Sequence, residues 1–176
     1  KGLNRERAIL GFYTHDSKFE NCWYQTGEVV EKIIAQRWQA VIAPNFSLWS
    51  HQPRLIQMWQ VYRSRWVARY LQGAGVPIIP DVDWIDNASF DFNLLGIPAG
   101  LPCVSIQCQT NLVNAQEEQQ RADGIARIVD LLKPGQLLVY GANDDWQSRI
   151  AKIVDERCQV IHVESLTRRL RRHFKE

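Results

Sequence analysis

The sequence predicts an α/β protein: a mostly parallel sheet of about six strands with helices on both faces, or an incomplete (βα) barrel, followed by a basic amphipathic helix at the C-terminus. Three observations predict it. Short apolar runs alternate with amphipathic stretches along the whole chain, and strands joined by helices pair in parallel. Most runs lack strict in/out alternation, which suits strands covered on both faces. The chain is 176 residues long and 45% hydrophobic, enough for one sizeable core, while six runs are too few for an eight-stranded barrel of about 250 residues. A single domain over residues 1–176 is expected, with residues 164–176 as its terminal helix.

The elements follow in order. An apolar run at 8–13 reads as the first strand, and the helix after it, 28–36, sets Val29, Val30, Ile33 and Ile34 against a charged face of Glu28, Glu31 and Lys32. A second strand, 40–43, leads into the longest helix, 53–72. Pro53 occupies its first turn, Leu55, Trp59, Tyr62, Trp66 and Tyr70 step down one side, and Gly73-Ala74-Gly75 stops it. After a third strand at 76–79, residues 84–100 break the rhythm with an irregular insert, a length of connection that often serves function. The alternation then resumes. A strand at 103–106 precedes a helix over 117–132 carrying Ile125, Ile128, Val129 and Leu132 and ended by Pro134-Gly135. A strand at 136–140 precedes a helix to Arg157 that Asp144 or Asp145 would cap, and the last strand is 159–163.

Composition removes several classes. With 23% charged residues, seven Trp and no apolar run near eighteen residues, the chain is neither disordered nor membrane-spanning, and no membrane partner is expected. Cys22, Cys103, Cys108 and Cys158 show no CxxC, and no signal-peptide pattern opens the chain, which begins at Lys1, so reduced thiols and a cytoplasmic location are expected. No P-loop, GxGxxG or GxSxG is present, and His15, His51, His162 and His173 lack zinc-ligand spacing. His162 reads as a core or strand histidine.

Ligands of parallel sheets bind beyond the carboxyl ends of the strands. The polar residues there are His15-Asp16, Asn45 and Ser47, Asp81 and Asp83, Gln107 and Gln109, Asn143 to Asp145, and Glu164-Ser165. Asp81 and Asp83, at i and i+2, would face the same way in an extended chain, and Trp84 follows them. Paired carboxylates divide into acid and base roles or hold a divalent cation. With Asp16 and Glu164 they would make a Mg²⁺ or Mn²⁺ site, His15 serving proton transfer. The plainer reading makes both aspartates turn and cap residues, and His15 a structural hydrogen bonder.

Arginine outnumbers lysine 15 to 6, a bias toward anion recognition or dense ion pairing. Arg63 and Arg65 interleave with Tyr62 and Trp66, a pattern that serves nucleic-acid surfaces, although such a stripe is more often core and such arginines more often paired. Residues 1–164 hold 16 basic and 18 acidic residues. The tail adds Arg168, Arg169, Arg171, Arg172 and Lys175 against Glu176, so a net charge of +2 is the sum of a −2 body and a +4 tail. Leu166, Leu170 and Phe174 give that tail a dockable apolar stripe; its arginines read as a phosphate-contacting patch or as a solvated helix face.

Four ordered motifs carry a family resemblance: Val41-Ile42-Ala43-Pro44-Asn45-Phe46-Ser47-Leu48, Tyr62-Arg63-Ser64-Arg65-Trp66, Ile78-Ile79-Pro80-Asp81-Val82-Asp83-Trp84 and Ser89-Phe90-Asp91-Phe92. With Asp16, Phe19, Glu20 and Trp23 upstream, the chain over roughly residues 10–142 resembles the domain-of-unknown-function 4417 family. It departs at two positions, with Asn45 where the family carries Asp and Asp83 where it carries Ser, so no carboxylate role passes to position 45. The resemblance implies a place on phages, plasmids or other mobile elements and names no activity.

The resulting expectation is a mobile-element protein that binds nucleic acid or another phosphorylated ligand at the carboxyl edge of its sheet. Asn45, Ser47, Asp81, Asp83 and Trp84 would line the site, and Arg63, Arg65 and the terminal arginines would contact anions. Hydrolysis would use the metal site to activate water. The alternative is a non-catalytic module that docks a protein partner through its aromatics and terminal helix. A third reading is a barrel-type enzyme acting on a sugar or nucleoside with two carboxylates.

Overall fold

The computed structural model describes residues 4–110 and 112–173, the last two of these as backbone only. The elements are β1 (Ile9–Leu10), α1 (Asn21–Tyr24), α2 (Thr26–Gln36), β2 (Ala40–Ile42), α3 (Arg54–Gly73), β3 (Ile78–Ile79), β4 (Cys103–Gln107), α4 (Ala115–Leu132), β5 (Gln136–Tyr140), α5 (Asp144–Val154), β6 (Gln159–Val163) and α6 (Leu166–His173). Every apolar run contains a strand and every amphipathic stretch a helix. No helix among the described residues is long and apolar enough to cross a membrane.

The six strands do not form one sheet. They form two three-stranded parallel sheets, β1-β2-β3 and β4-β5-β6, and no barrel closure is seen among the described strands. The reason lies in the long connection from β3 to β4. β3 has only two residues before Pro80, which has no N–H to extend a ladder, and the chain beyond Pro80 folds as turns and a short 3₁₀ segment, Asn87–Asp91, instead of a crossover helix. Two compact units result: Lys1–Ile85 with Asp91–Gly96, and Asp86–Phe90 with Ile97–Glu176.

In the first unit Leu10 pairs with Val41, and Val41 with Ile78. Val41 is fully buried in a cluster with Val30 and Ile33 of α2 and Val67 and Leu71 of α3. Both crossover helices therefore cover the same face of β2, as right-handed connections require when strands are laid down in the order 1-2-3. That arrangement differs from the helices expected on both faces. Phe19, Cys22 and Phe46 complete the cluster, with Phe12, Phe19 and Phe46 in tilted ring contact.

In the second unit Val104 pairs with Leu137, and Leu137 with Val160; β4 and β5 are buried at successive residues, whereas β6 has no fully buried residue and leaves Gln159 and His162 exposed in the strand. α4 and α5 pack against each other. The cap of α5 is Asn143, whose side chain accepts the Trp146 N–H, and Asp144 and Asp145 occupy the first turn beside the helix's positive end instead of capping it. Gly141 follows β5 with φ of +80°, and a Cβ there would lie 2.5 Å from Gln109 Cβ, so only glycine fits. No disulfide joins the cysteines among the described residues.

Candidate functional site

The carboxyl edge of β1-β2-β3 holds the densest polar cluster. Register explains its assembly: Tyr13 and Asp81 each stand three residues past the paired positions Leu10 and Ile78, so they emerge at one level beyond the sheet. Tyr13 Oη donates to Asp81 Oδ1 at 2.5 Å, across the end of β2. Asp81 is 3% exposed. Asp16 accepts from the Ser47 N–H at 3.0 Å and the Ser47 hydroxyl at 2.8 Å, which ties the end of β1 to the end of β2.

Asp83 is half-buried and accepts the Trp84 N–H at 3.0 Å. Burial, then repulsion from Asp81 and more weakly from Asp16, pushes its carboxyl up to about 7, although the Trp84 and Leu48 N–H groups pull in the other direction. Asp83 thus keeps its proton to a higher pH than an ordinary aspartate. Asn93, fully buried, donates from Nδ2 to the Asp83 carbonyl at 3.0 Å, while its Oδ1 has no partner. Asn45, Gln60, Ser64, Arg65, Asp81 and Asp83 line a small open-mouthed pocket with room for about one or two water molecules.

The two helix arginines turn inward. Arg63, 5% exposed, donates to Glu20 at 2.7 Å and to the Gln60 side chain, with its guanidinium 3.9 Å over the Phe46 ring. Arg65 donates to the carbonyls of Asp81 at 3.1 Å, Asn93 at 2.7 Å and Leu95 at 3.3 Å; burial lowers its pKa to about 10 against the pull of Asp81, and it remains cationic. Both bind the protein, which differs from the expected anion contacts. The reason is geometric: Glu20 and Gln60 on one side, and three carbonyls on the other, one just after β3 and two in the insert, take the donors that a ligand would need.

Of the other expected residues, Asn45, Ser47 and the half-buried Trp84 lie at this edge. His15 is exposed, and its Nδ1 accepts from Ser17 N at 3.3 Å as the cap of a 3₁₀ turn, the structural role weighed against proton transfer. Glu164 lies in the second unit after β6. Among the described residues no group of three or more His, Cys, Asp or Glu side chains is placed to hold a metal ion, so Asp16, Asp81 and Asp83 do not assemble as a Mg²⁺ or Mn²⁺ site. Asp16 and Asp81 are instead engaged by Ser47 and Tyr13.

In the second unit Arg168 pairs with Asp144 at 3.0 Å, Arg169 and Arg171 are exposed, and the side chain of Arg172, like Phe174 and Lys175, lies outside the described residues. Leu166 and Leu170, the described part of the stripe, are exposed. Arg121, which the sequence does not single out, repeats the device of Arg65: from α4 it donates to the carbonyls of Cys108 and Thr110 after β4, stacked 4.9 Å over Trp146.

Residues 3–156 match the family described as Domain of unknown function (DUF4417), a longer stretch than the four motifs span. The chain belongs to this family. Relatives of the DUF4417 chain include the Gene 1 proteins of Mycobacterium phages L5 and D29, each 33% identical over 134 residues. That stretch is 76% of this chain and 57% and 48% of those two proteins, so the chain spans about half the length of the curated relatives it matches. The chain is accordingly associated with phages. No solved structure matches it.

Proposed function

We propose that this domain binds a nucleic acid or a phosphorylated nucleoside at the carboxyl edge of β1-β2-β3, and that the small pocket there receives a single hydroxyl or amide edge of the sugar or base while the phosphates stay outside. One observation carries the reading: Asp81 and Asp83 line one pocket at this edge, with the Asp83 carboxyl pushed up to about 7 so that it can donate as well as accept, while the nearby guanidiniums of Arg63 and Arg65 are engaged by the protein. A phosphate would find the donors of Arg63 and Arg65 already taken and would face the Asp81 carboxylate, so the edge offers it no anion site. A hydroxyl or an amide edge would instead accept from the Asp83 carboxyl and donate to Asp81. Any hydrolysis here would use the same pair as acid and base.

Calorimetry with nucleosides, nucleoside monophosphates and a short single-stranded oligonucleotide at pH 6 and pH 8.5 tests this. Nucleoside and monophosphate should bind comparably, more tightly at pH 6 where Asp83 carries its proton, and about tenfold more weakly to Asp83→Ala. Absence of binding by all three, or binding of the monophosphate alone, would sink the reading. A second reading, the protein-interaction module, is favoured by one specific observation, the exposed apolar face of α3.

A further inference from the structure

We infer that α3 pairs with α3 of a second copy of this chain, antiparallel across a two-fold axis, through the stripe Leu55, Trp59, Tyr62, Trp66 and Tyr70. These residues recur at spacings of 4, 3, 4 and 4, the seam of a helix that packs lengthwise on another helix. All five are exposed, by 75%, 44%, 51%, 38% and 45% in that order, with Ile56 and Met58 exposed alongside. A helix that showed this face to water alone would be unusual.

The inner side of the stripe is already ordered. Trp23 meets Trp59 and Trp66 edge-on at ring separations of 5.1 and 5.3 Å, and Trp59 stacks on Tyr62 at 5.5 Å. The rings are therefore held in place before any partner arrives, which lowers the entropy lost on association.

Charge and area choose the occupant. α3 contains no Asp or Glu, and of its four arginines Arg54 pairs with Asp91, Arg63 with Glu20, and Arg65 holds backbone carbonyls, so only Arg69 lacks a partner among the described residues. One cation is too few for a nucleic-acid track, whose affinity comes from neutralising several phosphates. An isologous pair needs no opposite charge, because the same apolar surface is buried on both sides. At about 200 Å² of surface per aromatic and somewhat less per aliphatic, the exposed fractions of the five with Ile56 and Met58 come to about 600 Å² on one copy, so a pair that covers all of it buries about 1,200 Å², the lower end of stable interfaces. Tyr62 lies near the middle of the stripe and so meets its own symmetry mate, whereas Leu55 of one copy meets Tyr70 of the other.

Sedimentation velocity over a wide concentration range tests the pairing. The wild-type chain should pass from one copy to two, and Leu55→Glu, whose side chain is the most exposed of the five and leaves the Trp23 cluster intact, should stay single at every concentration. Mild oxidation of Tyr62→Cys should give a covalent dimer above the background of the native thiols, and Leu55→Cys should not. A wild-type chain that remains single throughout, a dimer indifferent to Leu55→Glu, or single-stranded DNA that quenches the stripe's tryptophans in a single copy would each overturn the inference.

Discussion

Replacing Asp83 by Asn removes a titration without removing a shape. The amide keeps an oxygen for the Trp84 N–H and can turn its NH₂ toward Asp81. In the native chain the carboxyl moves from an ordinary 3.8 to about 7 on folding, so the folded state binds a proton that the unfolded state has released across that interval. Stability then falls as pH rises from about 4 to about 7 and levels off above, and at about 1.4 kcal/mol per pH unit the full loss is about 4 kcal/mol. Asp83→Asn escapes this loss. The variant should match the wild type near pH 4 and exceed it increasingly up to pH 8, by about 2–4 kcal/mol once solvent relaxation around a half-buried group is allowed for. Urea unfolding of both proteins at pH 4.5, 6 and 8 measures the difference, and carbon-13 NMR of the aspartate carboxyls reads the titration directly. A difference that does not change with pH, or an Asp83 carboxyl titrating near 4, would refute the burial of Asp83 and its crowding by Asp81, on which the proposed function rests.

Other outcomes rest on the same contacts. Tyr13→Phe removes the hydroxyl that reaches the buried Asp81 and should destabilise the chain by about 1–3 kcal/mol in urea titrations. Arg63→Met leaves Glu20 without its buried partner and should cost about 3 kcal/mol, with Glu20→Gln in the same chain restoring part of it in a double-mutant cycle. Gly141→Ala combines a positive φ with a collision against Gln109 and should lower thermal stability by the equivalent of about 3 kcal/mol or more, whereas Gly73→Ala, where a Cβ meets nothing within 4 Å, should be neutral or stabilising.

The order of elements is readable because buried strands and amphipathic helices leave different periods in the chain. Partition into two sheets is not, because it depends on which strands pair, and the runs at 76–79 and 103–106 look alike as sequence. The first strand shrinks from the run at 8–13 to Ile9–Leu10 because Tyr13 leaves the ladder to reach Asp81; an aromatic at the end of an apolar run carries a donor as well as bulk. α1 shows no apolar period in four residues and is invisible to periodicity. Asp81, Asp83, Asn45 and Ser47 are legible because polar residues directly after apolar runs converge at a parallel sheet's carboxyl end. Arg63 and Arg65 stand out in the sequence, but their partners do not: Glu20 lies 43 residues away, and two of the carbonyls that hold Arg65 belong to an insert whose path no periodicity reveals.

The strands of the first sheet are two, three and two residues long, so few backbone hydrogen bonds hold β1, β2 and β3 together. Side chains beyond their ends supply the missing ties: Tyr13 to Asp81 joins the outer strands, and Asp16 to Ser47 joins the first to the middle one. Such a sheet opens from its edge. Amide exchange at Val41 and Ala43, which donate to Pro77 and Ile79, therefore reports on the polar edge as much as on the core, and anything that seats there would slow that exchange without touching either amide. Recognition and the local opening of β2 become one equilibrium observed at two places.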